Sequence, residues 1–181
     1  MGNGLADRSI VDEGGEIMKL YHGSYTEVKS PEVNLGRKRV DFGQGFYLTN
    51  IVEQAEKWAT IVAFKKNLET AIVNVYDWDD DRVKSGGWRV KVFEEYDIEW
   101  LEYVIDCRKG GVMQDMWDIV EGGVANDNVI DTVENYENGV ITAEQALGQL
   151  KYKKVNHQLC VRNQEVLDSV LRFVDFYQVN I

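Results

Sequence analysis

The chain has 181 residues, 44% of them hydrophobic and 28% charged, and a formal net charge of −11. That length and apolar share supply one domain with a real core and leave little room for two, and sixteen Gly with a single Pro exclude collagen-like and proline-rich low-complexity chains. Such acidity makes a poor general binder of nucleic acid, whose phosphates are held by Lys and Arg; a basic cleft on an acidic body stays compatible with it, and solubility is its more direct consequence. The two cysteines, Cys107 and Cys160, sit in no CxxC pair and no Cys/His cluster with zinc-ligand spacing, so two buried thiols are expected, with one disulfide as the other reading. Met1–Glu16 lacks a cationic start followed by an apolar run, and no stretch is long enough to span a bilayer. The default expectation is a cytoplasmic protein with no membrane partner; export by a route that leaves no cleavable signal stays open.

Residues 1–17 are polar, with Gly at positions 2, 4, 14 and 15. They read as a flexible tail or an expression remnant, with Met18 as a candidate start and one domain over 18–181. Lys19–His22 reads as a short strand ended by Gly23-Ser24. Residues 30–39 form a loop, basic at Arg37-Lys38-Arg39. Gly43 and Gly45 flank a tight approach into a strand at Phe46–Thr49. Asn50 followed by Glu53 has the form of a capping box, and Ile51, Ala55, Trp58, Ala59 and Val62 then share one helical face. Ala71–Tyr76 and Trp88–Phe93 read as strands, with Ser85-Gly86-Gly87 as a turn between them. The acidic cluster of Asp77, Asp79, Asp80 and Asp81 lacks the Gly and terminal Glu of a calcium loop and reads as a solvated turn. Beyond it lie a helix over Glu99–Cys107 and a short strand over Trp117–Val120 that ends at Gly122-Gly123. Thr142 with Gln145 makes a second capping box, opening a helix through Leu150. A late strand over Val155–Val161, a helix from about Gln164 and a last strand over Phe173–Val179 complete the order. Strands and helices mix without regular βαβ alternation, so the expected class is α+β rather than a doubly wound sheet.

Most recognisable catalytic patterns are missing: the chain has no P-loop, GxGxxG, GxSxG or HExxH, and His22 and His157 are its only histidines. Three pieces remain. Tyr21-His22-Gly23-Ser24 stands at a strand end. DFGQGFYLT runs from Asp41 to Thr49, with Trp58 one helix later. Asn156-His157-Gln158-Leu159 opens the late strand.

A strand with His-Gly-Ser/Thr, then Gly-x-Gly-Phe/Ile-Tyr, then an aromatic one helix on, resembles the H-Y-E class of ADP-ribosyltransferases, the diphtheria-toxin and poly(ADP-ribose)-polymerase type. The string DFGQGFYLT, the downstream Gln-Ala-Glu-Lys-Trp-Ala and the closing ITAEQALGQL resemble a bacterial branch of that superfamily, the DUF3990 type. The resemblance runs from about Met18 to the C-terminus. It implies a split β-sandwich of mostly antiparallel strands with flanking helices. It also implies a mono-ADP-ribosyltransferase that takes NAD⁺ as co-substrate, uses no metal, and passes ADP-ribose to a protein, nucleic-acid or small-molecule acceptor. A toxin or effector role, with a neutralising antitoxin as partner, is compatible with it.

The resemblance assigns roles residue by residue. His22 would bond a hydroxyl of the adenosine ribose through a ring nitrogen. Gly23 would pair its backbone with the nicotinamide carboxamide, and Ser24 would add a hydroxyl bond to the same amide. Tyr47 and Trp58 would sandwich the cationic ring, with Gly43 and Gly45 keeping that slot shallow. Arg37 and Arg39 suit a pyrophosphate contact, and equally a solvated loop. In the family, transfer passes through an oxocarbenium-like ribosyl cation, which the site orients and stabilises. The family's Glu falls here on Gln158, which can bond a hydroxyl but cannot act as general base or place a negative charge by the cation. That substitution argues against polymer elongation. Besides a transferase it leaves a module that binds NAD⁺ or ADP-ribose without turnover, and an NAD⁺ glycohydrolase. Glu165, the next carboxylate, is expected to begin a helix and point elsewhere. His157 should face away from Gln158 by strand alternation and be structural. Trp117–Asn128 reads as an ordinary loop or as part of an acceptor-binding rim.

Overall fold

Backbone is described for residues 8–11, 15–125, 129–151, 153 and 155–180 of the computed structural model. Its strands are β1 (Arg8–Val11), β2 (Gly15–Ser24), β3 (Phe46–Leu48), β4 (Ala71–Asp79), β5 (Val90–Phe93), β6 (Ile119–Gly123), β7 (His157–Val161) and β8 (Leu171–Val179). Its α-helices are α1 (Val52–Lys65), α2 (Asp80–Ser85), α3 (Ile98–Lys109), α4 (Ile130–Glu137), α5 (Ala143–Leu150) and α6 (Gln164–Val170). The class is α+β, with two four-stranded sheets of mostly antiparallel pairing. Among the described residues no helix is long and apolar enough to cross a membrane. The chain divides into two compact units: one holds the residues up to Glu32, Tyr47–Trp88 and those from Asn163 on, the other Val33–Phe46 and Arg89–Arg162.

The first unit is built on the antiparallel sheet β1-β2-β4-β8. The first strand read from sequence starts earlier than Lys19: Gly15–Ile17 belong to β2, and Arg8–Val11 pair with Gly15–Met18. Both pieces fall inside the segment expected to be a loose tail. β4 lies between β2 and β8, so both its edges are paired, and Ala71–Asn74, Tyr76 and Trp78 are all buried. On one face α1 lays Ala55, Ala59 and Ala63 against Ala71 and Val73, with Tyr21, Tyr177 and Val179 at the margin. Side chains this small let a helix approach a sheet closely, as the rest of the site requires.

Two sequence expectations in this unit are corrected. The cap of α1 is Ile51, with no side-chain bond, and the Asn50–Glu53 capping box does not form. Thr49 takes over: its Oγ1 accepts from Ile51 N–H at 3.1 Å and donates to Gln54 Oε1 at 2.7 Å. The acidic cluster is likewise no solvated turn. Asp77 is buried in β4 and paired with Lys19 and Arg172, while Asp79 caps α2 by accepting from Arg82 N–H at 2.9 Å. The charges that looked like a loop therefore extend a strand and start a helix.

The other sheet has strand order β3-β7-β6-β5, with β6–β7 antiparallel and β5–β6 parallel, and β5, β6 and β7 belong to the second unit. α3 buries Trp100, Leu101, Tyr103, Val104 and Cys107. The rings of Phe42, Phe93 and Tyr103 gather with centroids 5.3–6.4 Å apart. Cys107 and Cys160 are buried thiols that form no disulfide, and burial pushes Cys107 up to about 12. α5 opens on the Thr142–Gln145 capping box the sequence displays. α4 has no side-chain cap at Val129 and no such signature, and the sequence reading passed over it. The short strand expected over Trp117–Val120 is β6, at Ile119–Gly123, and of the loop or rim read after it Asn126–Asn128 lie outside the described residues.

Candidate functional site

The site begins where β2 and β3 meet and part. They touch at one isolated bridge, Tyr21 with Thr49, through Tyr21 N–H to Thr49 O at 2.8 Å and Thr49 N–H to Tyr21 O at 3.0 Å. In an antiparallel strand the N–H and C=O of one residue point to the same side and alternate along the chain. Tyr21 spends both groups toward β3, so the N–H and C=O of Gly23 also turn away from β4, into the opening beyond the bridge. The same register carried two residues on sets Tyr47 across that opening from Gly23.

His22 ties the two strands together there. Its Nδ1 lies 2.7 Å from the carbonyl oxygen of Tyr47. A carbonyl only accepts, so Nδ1 carries the proton and Nε2 is the lone-pair nitrogen. Burial holds the His22 imidazole below its ordinary 6.5, against the opposing pull of the Tyr47 carbonyl. The fold therefore favours the neutral form of the ring. Ser24 is buried and shares the face of His22, while Tyr21 and Gly23 face α1.

Gly23 has a second reason to be glycine. A Cβ there would stand 2.2 Å from Ala55 O and 2.7 Å from Ala59 N, inside the backbone of α1. The helix can lie on β2 only because this residue has no side chain. That contact also places Trp58, which sits between Ala55 and Ala59 in the chain and roughly 100° around the helix from the alanine stripe. Trp58 is half-buried on the helix flank and Tyr47 half-buried on β3, where Phe46 and Leu48 fill the opposite face. His22, Gly23, Ser24, Tyr47 and Trp58 thus belong to the same unit.

Arg37, Gly45 and Gln158 belong to the other unit. Arg37 is exposed in its loop, near enough to the Asp41 carboxylate to lower it, though burial leaves Asp41 raised overall. Gly45 lies where a Cβ would meet Cys160 Sγ and Val161 O, both at 2.6 Å, and Gly43 takes φ +76°, a left-handed conformation natural to glycine. The whole Gly-x-Gly loop is gripped by Arg162, a residue the sequence reading passed over. Its Nη1 donates to Phe42 O at 3.0 Å and to Gln44 O at 2.9 Å.

Gln158 is half-buried on β7 opposite Gly122. The nearest carboxylate in the sheet, Glu121, pairs with Leu159 and so points to the other face, with His157 Nδ1 4.0 Å from it. Glu121 and Gln158 therefore face opposite sides of the sheet. Glu165 is exposed in the first turn of α6 and belongs to the first unit. Thr49 and Gln54 are the other residues that sequence reasoning missed. Thr49 closed the quoted motif, but nothing in the string marked its hydroxyl as a connector.

Comparison with known proteins adds one match. The profile of a family described as "Protein of unknown function (DUF3990)" matches residues 18–173. No curated protein and no solved structure matches the chain.

Proposed function

The chain belongs to the DUF3990 family, and from that footing we propose that it binds NAD⁺ and transfers ADP-ribose to an acceptor. The observation that carries the reading is the His22–Tyr47 tie at the parting of β2 and β3, with the Gly23 backbone edge turned into the gap. The residues fit such a substrate. A primary carboxamide needs one donor and one acceptor side by side, and a strand edge at a single residue offers both. A sugar hydroxyl both donates and accepts hydrogen bonds, and an imidazole such as His22 is a side chain that can bond it. Tyr47 and Trp58 would offer the aromatic faces that suit a pyridinium. The ADP-ribosyltransferase type of fold comes with this reading, and two mostly antiparallel four-stranded sheets are consistent with it.

Loss of nicotinamide leaves an electron-poor ribose carbon. The chain's own part is to bind, orient and keep water from the ring; the resemblance read from the sequence puts an amide, Gln158, where the family has an acid. That amide favours single transfer over polymer growth. It also supports a second reading, a module that holds NAD⁺ or ADP-ribose without turnover.

The test is to incubate the protein with NAD⁺, alone and with cell lysate, and follow nicotinamide release and mass-labelled products. Wild type is expected to release nicotinamide and label an acceptor, with His22→Ala slower by at least about tenfold, the loss of one buried hydrogen bond to substrate. Free ADP-ribose as the only product would make it a glycohydrolase. Intact NAD⁺ that nevertheless binds would leave the binding module, and no binding at all would end the proposal.

A further inference from the structure

We infer that Thr49 is the positioning residue of the site, holding the Gly23 edge and the Tyr47 ring at their separation through a closed ring of contacts; this rests on the reading above that the gap takes NAD⁺.

The ring can be traced atom by atom. Thr49 backbone bonds fix β3 to β2 at Tyr21. Thr49 Oγ1 accepts from Ile51 N–H and donates to Gln54 Oε1, fixing β3 to the start of α1. One turn further, Ala55 O and Ala59 N lie against Gly23 with no room for a side chain, fixing α1 back to β2. Gly23 stands two residues from Tyr21, and Tyr47 two residues from Thr49, so both walls of the gap hang from this ring. Thr49 is 5% exposed, so its hydroxyl exchanges little with water, and both its donor and its acceptor capacities are used. α1 has no side-chain cap of its own, and the hydroxyl is the connection between the helix start and the strand that precedes it. A threonine needed only for packing would not require that pair of bonds. Thr49 touches no substrate in this account; it acts through the residues it spaces.

The test uses the full chain with Thr49→Val, which keeps the branched shape and removes the hydroxyl, and Thr49→Ser, which keeps the hydroxyl. Two readouts are taken. In the absence of nucleotide, NMR follows the Gly23 amide and the ring nitrogens of His22. Thr49→Val is expected to move the Gly23 amide and weaken the His22 Nδ1–H signature, and Thr49→Ser to restore both. With NAD⁺, Thr49→Val is expected to raise KM or Kd about fivefold, the worth of one hydrogen bond, with a smaller change in kcat. Gln54→Ala should reproduce part of the effect. Unmoved Gly23 and His22 signals in a folded Thr49→Val protein would overturn the inference, as would a fall in melting temperature with unchanged affinity. If wild type ignores NAD⁺ while the NMR response is as expected, the positioning role stands and the NAD⁺ reading fails.

Discussion

The environment of His22 favours the neutral form of its ring. In the unfolded chain the imidazole takes a proton near 6.5, whereas burial in the fold delays protonation to lower pH. The folded state therefore binds fewer protons between the two values, and stability falls as pH drops below 6.5, levelling once the folded ring is also charged. Above 6.5 His22 contributes no pH dependence. Denaturation midpoints measured from pH 8 to pH 5 should show this slope in wild type and lose it in His22→Gln. A second residue-scale expectation concerns Gly23. Its Cβ would enter the α1 backbone at 2.2 Å from a carbonyl oxygen, so Gly23→Ala should destabilise by about 2–3 kcal/mol, the usual cost of overpacking, read as a lower urea midpoint. Arg162 works by the opposite principle. It supplies two hydrogen bonds to the carbonyls of Phe42 and Gln44, and Arg162→Met should cost roughly 2–4 kcal/mol by leaving polar groups unpaired in a covered site.

At the level of elements, two apparent capping boxes can be told apart by mutation. Thr142 and Gln145 exchange both bonds of a true box, so Thr142→Ala should lower stability by about 1 kcal/mol. Asn50 is exposed and caps nothing, so Asn50→Ala should stay within about 0.5 kcal/mol of wild type. Paired chemical-denaturation curves settle the contrast. The two strings look alike because a box needs its first residue at the turn from extended to helical backbone, and here that turn is displaced to Ile51 by the bridge Thr49 makes with Tyr21.

For the whole molecule, the folding units do not follow chain order. The first unit is assembled from three stretches and the second from two. β8 arrives last in the chain yet pairs with β4 from Ala71 to Trp78. A chain ended at Arg162 loses β8 and α6 and leaves the largely buried β4 with an open edge. It should lose cooperative unfolding by circular dichroism and aggregate on concentration, whereas a protein ended at Asn180 should behave as wild type.

The sequence by itself determined what a few neighbouring residues can encode. Alternation and aromatic content marked the strands at Leu20–His22, Phe46–Leu48 and Phe173–Val179. The Thr142 box marked α5, and the lack of βαβ order marked the α+β class. The residues proposed for NAD⁺ were legible as short strings for the same reason: His-Gly-Ser and Gly-x-Gly-Phe-Tyr are local patterns. The tertiary structure decided everything that depends on a distant partner. His22 meets a carbonyl 25 residues away and Arg162 one 118 residues away. No window of sequence holds both ends of such a bond. The same limit hid α4, whose helix rests on burying Val133 rather than on a cap. It also hid the second duty of Gly23 and Gly45, whose missing side chains make room for backbone that folds back from elsewhere in the chain. Local propensity names the pieces, and long-range packing decides which of them meet, because the gain from burying a contact is the same at any chain separation while the cost of closing the loop grows only slowly with its length.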